Sequence, residues 1–423
     1  MLPVTAADRT VKPATAAQRW AVVILLGLGM MIAYVDRTNL SIALASDEFK
    51  RLFRLSDTDR GLLNSAFFWS YALLQIPAGY ATDRYGVKWT YAISFSAWSI
   101  ISAATALATG FWQLFVLRLL LGVGEAIVAP ASLRWIRLNV SERQRGLAVG
   151  ILFAGAKIGP AVGADLSVRL LKAYGWQTMF AVLGLGCMVW LIPWLFLVKE
   201  NDRQLELSST RASGVAAIPF SAVWKTPAIY GIIIGTFAYN YFNYFCLTWL
   251  PAYFKEHWGL SLSSMGLYTA FSFLGMAAVA IIAGSVADRM IVAGWDAIKV
   301  RKGFTIAGLA VASTELIGPL SGNRSVALCF AIISLTGLGL ATANYWALTQ
   351  TLMPGAAIGR IAGVQNFASN LSGIAAPWLT GYLLEVTQTY AAPMVAVFLL
   401  LMTGILAYVF LVRPKYAPGV SSP

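Results

Sequence analysis

Charge is what this sequence has least of. Asp, Glu, Lys and Arg together supply 12% of its 423 residues, about half the share of a soluble globular domain, which excludes a fold that meets water over its whole surface. Histidine is nearly missing, with His257 the single one, and the three cysteines, Cys187, Cys246 and Cys329, lie far apart in apolar runs. That inventory offers no metal-ligand spacing, no disulfide framework and no nucleophile–His arrangement, so no metal, no cofactor and no enzyme activity are expected. A cleavable leader is not expected either, because the first apolar run, 20–45, is too long and no small-residue cleavage site follows it.

What is present is hydrophobic length. Hydrophobic residues make up 58% of the chain, and they gather in runs at about 20–45, 61–82, 88–109, 112–134, 145–170 and 176–198. After a polar stretch, 199–225, six more follow at about 226–252, 262–287, 302–318, 325–352, 360–384 and 390–412. Each is near the ~20 residues a helix needs to cross a bilayer, which predicts an all-α membrane protein of twelve transmembrane helices in two six-helix halves. The expected organisation is a cytoplasmic N-terminal tail 1–18, a bundle 19–198, a cytoplasmic linker 199–225, a second bundle 226–412 and a cytoplasmic C-terminal tail 413–423. Lys and Arg place both termini in the cytoplasm. Arg9, Lys12, Arg19, Arg84, Lys88, Arg134, Arg137, Arg143, Arg145 and their counterparts in the second half fall on one side, against Lys50, Arg51, Arg54, Arg60 and a few others on the opposite side. The net charge of +13 is then a topology signal, and nucleic acid is not an expected partner.

The halves repeat. Gly79, Asp83, Arg84 and Gly86 join spans 2 and 3, and Gly284, Asp288 and Arg289 join spans 8 and 9 about half a chain later, as duplicated transporter halves do. Gly is expected to let helix ends approach there, with Asp bridging Arg and a helix N-terminus as a conformational latch.

Three Lys and Arg side chains lie inside spans: Arg37, Arg118 and Lys157. Asp36 precedes Arg37, roughly 25 Å across a core about 30 Å thick. Glu125 lies two turns after Arg118. Buried charge in lipid is costly and marks function by default, so these five groups are expected to line one cavity in the first half. Arg37 presents a planar fork suited to a carboxylate, and Asp36 and Glu125 are the carboxylates able to exchange protons. Lys157, at mid-span, is expected to pair with Glu125 as an internal counter-ion or with a second substrate carboxylate. The second half supplies amides and hydroxyls suited to a polyol, among them Asn240, Tyr244, Asn344 and Asn366. Trp20, Trp112, Trp176 and Trp258 are expected as interface anchors, and Asp165, Arg169 and Glu315 as interfacial charges.

These residues carry a family resemblance. Tyr34-Val35-Asp36-Arg37 with Asn39, Trp69, Tyr71, Gln75, Pro77 and Gly79, and Arg118, Gly122 and Glu125 belong to it in the first half. Asn240, Tyr244, Thr248-Trp249-Leu250-Pro251, Asn344-Tyr345-Trp346 and Gln365-Asn366 with Asn370 belong to it in the second. In them the chain resembles the major facilitator superfamily, and within it the anion:cation symporter family of bacterial galactonate, hexuronate and glucarate carriers. The resemblance implies a proton-coupled symporter of a small organic anion, working by alternating access as an inner-membrane monomer, with Na⁺ left open as the coupling ion. It implies that Asp36 and Glu125 take protons and that Arg37, Tyr71 and Asn366 bind the sugar acid. Tyr34, Arg118, Lys157, Asn240, Tyr244, Asn344 and Trp346 complete the expected substrate-binding set. The chain departs from those carriers at Lys157, where they have Gln, and near Trp346, where Ala343 and Tyr345 replace hydroxyl residues. Gly155, Gly159 and Pro160 are also similar to an antiporter motif, which keeps an anion exchanger or a drug exporter as the alternative.

Overall fold

The computed structural model describes residues 15–199, 224, 226–353 and 358–416, and among them every regular element is helical. Residues 1–14 and 417–423 of the expected tails, and nearly all of the expected linker 199–225, lie outside the described residues. Lipid offers no partner for backbone polar groups, so a spanning chain must satisfy them within each helix. In order the helices are α1 (Ala16–Leu44), α2 (Asp47–Phe53), α3 (Asp57–Tyr85), α4 (Val87–Ala104), α5 (Phe111–Glu125), α6 (Val128–Asn139), α7 (Glu142–Gly186), α8 (Leu191–Leu197), α9 (Pro227–Ala252), α10 (Leu262–Val292), α11 (Ala297–Ala312), α12 (Ile317–Ser321), α13 (Arg324–Leu352), α14 (Ile358–Thr387) and α15 (Ala391–Phe410). Eight helical segments among the described residues are long and apolar enough to cross a membrane. One of these, Gln144–Leu197, holds 54 residues and is broken at Gly175, whose φ of 81° only glycine adopts easily. Helices α3, α9 and α14, of 29, 26 and 30 residues, are long enough as well but carry more polar side chains.

Starts and stops follow local chemistry. Thr15 and Gln18 form a capping box on α1, and Ser56 and Asp59 form one on α3. Gly86, at φ 85°, turns α3 into α4. Glycines also set the closest approach. A Cβ on Gly159 would lie 2.7 Å from the Met31 carbonyl oxygen, and one on Gly163 would lie 3.0 Å from the Val35 Cα. The glycine stripe of α7 therefore packs directly on α1, which accounts for the antiporter-like sequence as close packing.

The helices before residue 199 and those after 226 form two groups that meet at α1 with α9, α3 with α14, and α7 with α10. A Cβ on Gly61 would be 2.6 Å from the Pro377 carbonyl oxygen, and the Ser65 hydroxyl donates to the Ile374 carbonyl at 2.9 Å. At this end the groups are also tied by charge. Lys50 and Arg60 reach Glu256 at 2.6 and 3.0 Å, and Lys255 reaches Asp47 at 2.5 Å. The Tyr390 hydroxyl donates to Glu256 at 3.0 Å. A depression of about 1000 Å³ opens outward among these side chains. Every ion pair that joins the two groups among the described residues lies at this end, so the molecule is closed here.

Three expectations need correction. Trp176 is not an interface anchor: it is 2% exposed, with its ring 5.2 Å from Phe49 and 5.5 Å from Phe53, because α2 folds back over it. Glu315 is not interfacial: it is 2% exposed and accepts from the Ser334 hydroxyl. The loop motif does not bring helix ends together at Gly79, where an added Cβ would meet nothing within 4 Å. Its aspartates each pair with an Arg of a neighbouring helix. Asp83 pairs with Arg134 of α6 and Asp288 with Arg301 of α11 at 2.9 Å, while Arg84 donates to the Tyr80 hydroxyl at 3.2 Å. The two copies thus tie different neighbours, each within its own half.

Candidate functional site

Helix α1 carries the centre of the site. Asp36 is 1% exposed, and its Oδ1 accepts from the Ser102 hydroxyl at 2.6 Å and from the Asn39 amide at 3.2 Å. Its Oδ2 has no hydrogen-bond partner among the described residues. The neighbouring Arg37 turns the other way. Its Nε and Nη2 both lie 2.9 Å from Oε2 of Glu125, and Oε1 of Glu125 is left without a partner. The guanidinium carbon lies 4.5 Å from the ring centres of Tyr34 and Phe67 and 4.8 Å from that of Tyr71. Three aromatic faces thus hold the cation, and its N–H edge is turned to the Glu125 carboxylate.

Glu125 reaches this box because α5 ends on it. Gly122 and Gly124 let α5 lie against α3 and Trp98 of α4, where any Cβ would collide. Arg118, two turns earlier, is 2% exposed and donates to the Asp36 carbonyl at 3.3 Å. It braces the main chain of α1, and its Nε and Nη2 have no partner. Asp36, Arg37, Arg118 and Glu125 are therefore brought together as the sequence suggested.

Lys157 is not part of that cluster. The expected pairing with Glu125 is absent among the described residues; Glu125 pairs with Arg37 instead. The Lys157 ammonium instead lies 3.4 Å from the Tyr239 hydroxyl and 5.7 Å from its ring centre, across the boundary between the two groups of helices. The Tyr239 hydroxyl is 2.7 Å from that of Thr342 on α13.

The remaining expected residues face this boundary or fold back on their own helices. Asn366 donates to Gln75 at 3.5 Å and Tyr244 packs edge-on against Phe68 at 4.5 Å, both across the boundary. Asn240 and Asn344 each donate to the carbonyl four residues earlier, both at 2.9 Å, and Asn344 keeps an unpartnered Oδ1. Trp346 is half-buried beside Tyr345 at 5.6 Å. The sequence reading missed Phe67, Ser102, Tyr239 and Thr342. Only Tyr239 carried a signal, since it shares a helical face with Thr236, Asn240 and Asn243. No cluster of metal-ligating side chains occurs among the described residues.

Comparison with known proteins gives a consistent picture. The family model for the Major Facilitator Superfamily matches residues 26–377. The hexuronate transporter of Bacillus subtilis (strain 168) is 30% identical over 409 residues, covering 93% of this chain and 94% of that protein. The D-galactonate transporter of Escherichia coli O6:H1 is 30% identical over 416 residues, covering 93% and 96%. The crystal structure of a bacterial homolog of the human lysosomal transporter Spinster, inward-facing and unoccupied, superposes with a TM-score of 0.78 at 16% identity, covering 96% of this chain and all of that one. A D-xylose–proton symporter superposes with a TM-score of 0.71 at 17% identity, covering 96% and 99%.

Proposed function

The chain belongs to the Major Facilitator Superfamily, a multi-pass membrane transporter and not an enzyme, and on that premise we propose that it carries a sugar acid inward together with protons by alternating access. In this reading the spans number twelve, the halves are 19–198 and 226–412 joined by a cytoplasmic linker, both termini are cytoplasmic, and the protein works as a monomer in the inner membrane. The closed end carrying Glu256 is then the outer one, and the structure is the inward-facing state.

One observation carries the proposal: the pair between Arg37 and Glu125, buried among the helices of the first half. Taking two charges out of water is costly, and an ion pair is a poor stabiliser compared with apolar packing of the same volume. The pair makes sense as a switch. While Glu125 is ionised it occupies the guanidinium. A proton on Glu125 weakens that contact and frees the N–H edge of Arg37 for a substrate carboxylate. Proton and anion therefore favour each other's binding, and by linkage the effect is reciprocal. Asp36, with one unpartnered oxygen, is the second proton acceptor. Gln75 and Asn366, with the free oxygen of Asn344, suit the hydroxyls of the sugar chain.

Uptake by proteoliposomes of a panel of uronates, aldonates and aldarates tests this directly. An inward proton gradient is expected to drive accumulation of at least one of them. A neutral hexose or a lipophilic cation taken up in their place would reject the sugar-acid reading. At the residue level, Arg37→Lys keeps the charge but loses the planar fork and its three-ring enclosure. Substrate affinity is expected to fall at least tenfold, about 1.5–3 kcal/mol for a charge-assisted contact, as read by isothermal titration in detergent. An unchanged affinity would place the anion elsewhere.

A further inference from the structure

We propose that Lys157, with the hydroxyls of Tyr239 and Thr342, forms a second anion subsite, so that the preferred substrate carries an anionic group at each end, as an aldarate does. This rests on the sugar-acid reading above and narrows it.

The argument begins with charge. Of the three cations inside the spans of the first half, Arg37 is held by Glu125, and Arg118 is fixed to the main chain of α1 beside Asp36. Lys157 has neither kind of partner. Its ammonium meets the Tyr239 hydroxyl and ring, and no salt bridge involves it among the described residues. A lysine at mid-span cannot carry its charge to either surface. A cation kept there without a carboxylate is a site prepared for an anion that comes and goes.

The surroundings fit that role. The Tyr239 hydroxyl lies between the Lys157 ammonium at 3.4 Å and the Thr342 hydroxyl at 2.7 Å. An arriving carboxylate finds one charged donor, from the first half, and beside it two hydroxyls from the second that can turn to it in exchange for their contact with each other and the Thr342 bond to the Leu338 carbonyl. The subsite therefore straddles the boundary that must rearrange in alternating access, as a substrate site must. It is also separate from the aromatic box. Arg37 is enclosed by Tyr34, Phe67 and Tyr71, whereas Lys157 lies on α7 facing α9. Two anion positions separated in this way suit a chain with a carboxylate at both ends. A monocarboxylate of equal length puts only a hydroxyl at one of them.

The test compares a six-carbon aldarate with the aldonate of the same configuration. Half-saturation constants for uptake are measured with the full-length protein in proteoliposomes, for wild type, Lys157→Gln, Lys157→Arg and Tyr239→Phe. Wild type is expected to prefer the aldarate by about tenfold or more, the worth of one charge-assisted contact. Lys157→Gln is expected to erase that preference by weakening the aldarate far more than the aldonate. Lys157→Arg is expected to keep most of the preference, and Tyr239→Phe to reduce it. Aldonate uptake by Lys157→Gln shows that the variant folds. If both substrates weaken alike, or the aldarate-to-aldonate ratio does not move, the second subsite is rejected while the sugar-acid reading stands. If wild type transports neither compound nor any uronate, both readings fall together.

Discussion

Glu125→Gln is expected to abolish uphill uptake driven by an inward proton gradient while preserving exchange of labelled for unlabelled substrate. Gln keeps the shape of Glu125 and can still accept from Arg37, but it carries no charge and binds no proton. The Arg37 guanidinium, held at 2.9 Å by Glu125, then meets a neutral amide at every pH. Its edge is permanently open to a substrate carboxylate, so binding and counterflow continue. What disappears is the link between proton and anion, because the favoured state no longer depends on protonation. A gradient of one pH unit, which supports about tenfold accumulation per coupled proton, should give an accumulation ratio near one. The pH dependence of affinity should flatten with it. Asp36→Asn tests the second acceptor. It retains the hydrogen bonds from Ser102 and Asn39 only if the amide is turned with its oxygen toward them, so a larger loss of binding is expected. Proton-driven accumulation at the wild-type level in both variants would remove these carboxylates from the coupling step.

The cluster itself was legible because lipid makes charge expensive. Asp36, Arg37, Arg118 and Glu125 stood out as ionic residues in apolar runs; helix rise placed Arg118 at the depth of Asp36 and Arg37, and helix periodicity put Glu125 on the Arg118 face. Their directions were not legible. Sequence spacing does not show that Arg37 turns to Glu125 while Asp36 turns to Ser102 and Asn39, because rotamers depend on neighbours contributed by α3, α4 and α5. Lys157 shows the same limit more sharply. Its depth was readable, but its partner Tyr239 lies 82 residues away on the other half. The α7 glycines stood out in the sequence as an antiporter-like motif, and the structure shows them packed on α1. Trp176 and Glu315 went wrong for one reason: both sit near span ends, where burial is decided by short segments, α2 in one case and the turn Ser313–Leu316 in the other. The loop motif was recognised as a repeat, yet its aspartates choose partners on α6 and α11 that the repeat does not encode.

At the closed end, Glu256→Gln is expected to shift the protein toward the state open on that side. Glu256 is the keystone there, meeting Lys50 at 2.6 Å, Arg60 at 3.0 Å and the Tyr390 hydroxyl at 3.0 Å. Arg60 is 3% exposed and also stacks over Trp249 at 4.7 Å, so losing Glu256 leaves a buried guanidinium with Asp57 alone. Stranding one member of a fully buried pair costs about 3–5 kcal/mol. With the Glu256 side chain 20% exposed, about 2 kcal/mol is the reasonable share, which changes the closed-to-open ratio roughly thirtyfold. Spin labels at Leu52→Cys and Val386→Cys, exposed positions on the two sides of the closure, with the native cysteines replaced by Ser, should report a longer separation in the variant. The double variant Lys50→Glu with Glu256→Lys should recover part of the closed population, which a folding defect would not. The pH response has a definite sign. Burial raises the Glu256 carboxyl, but the Arg60 and Lys50 cations beside it outweigh that and hold it below the ordinary glutamate value. A carboxylate depressed in the closed state stabilises closure above its ordinary pKa, about 4.3, and loses that contribution only as pH falls through the lowered value. The label separation should therefore stay constant from pH 8 down to about 5 and lengthen only in stronger acid. A transition centred near pH 6 to 7, or a Glu256→Gln variant indistinguishable from wild type, would assign closure to the glycine and backbone contacts of α3 and α14 instead.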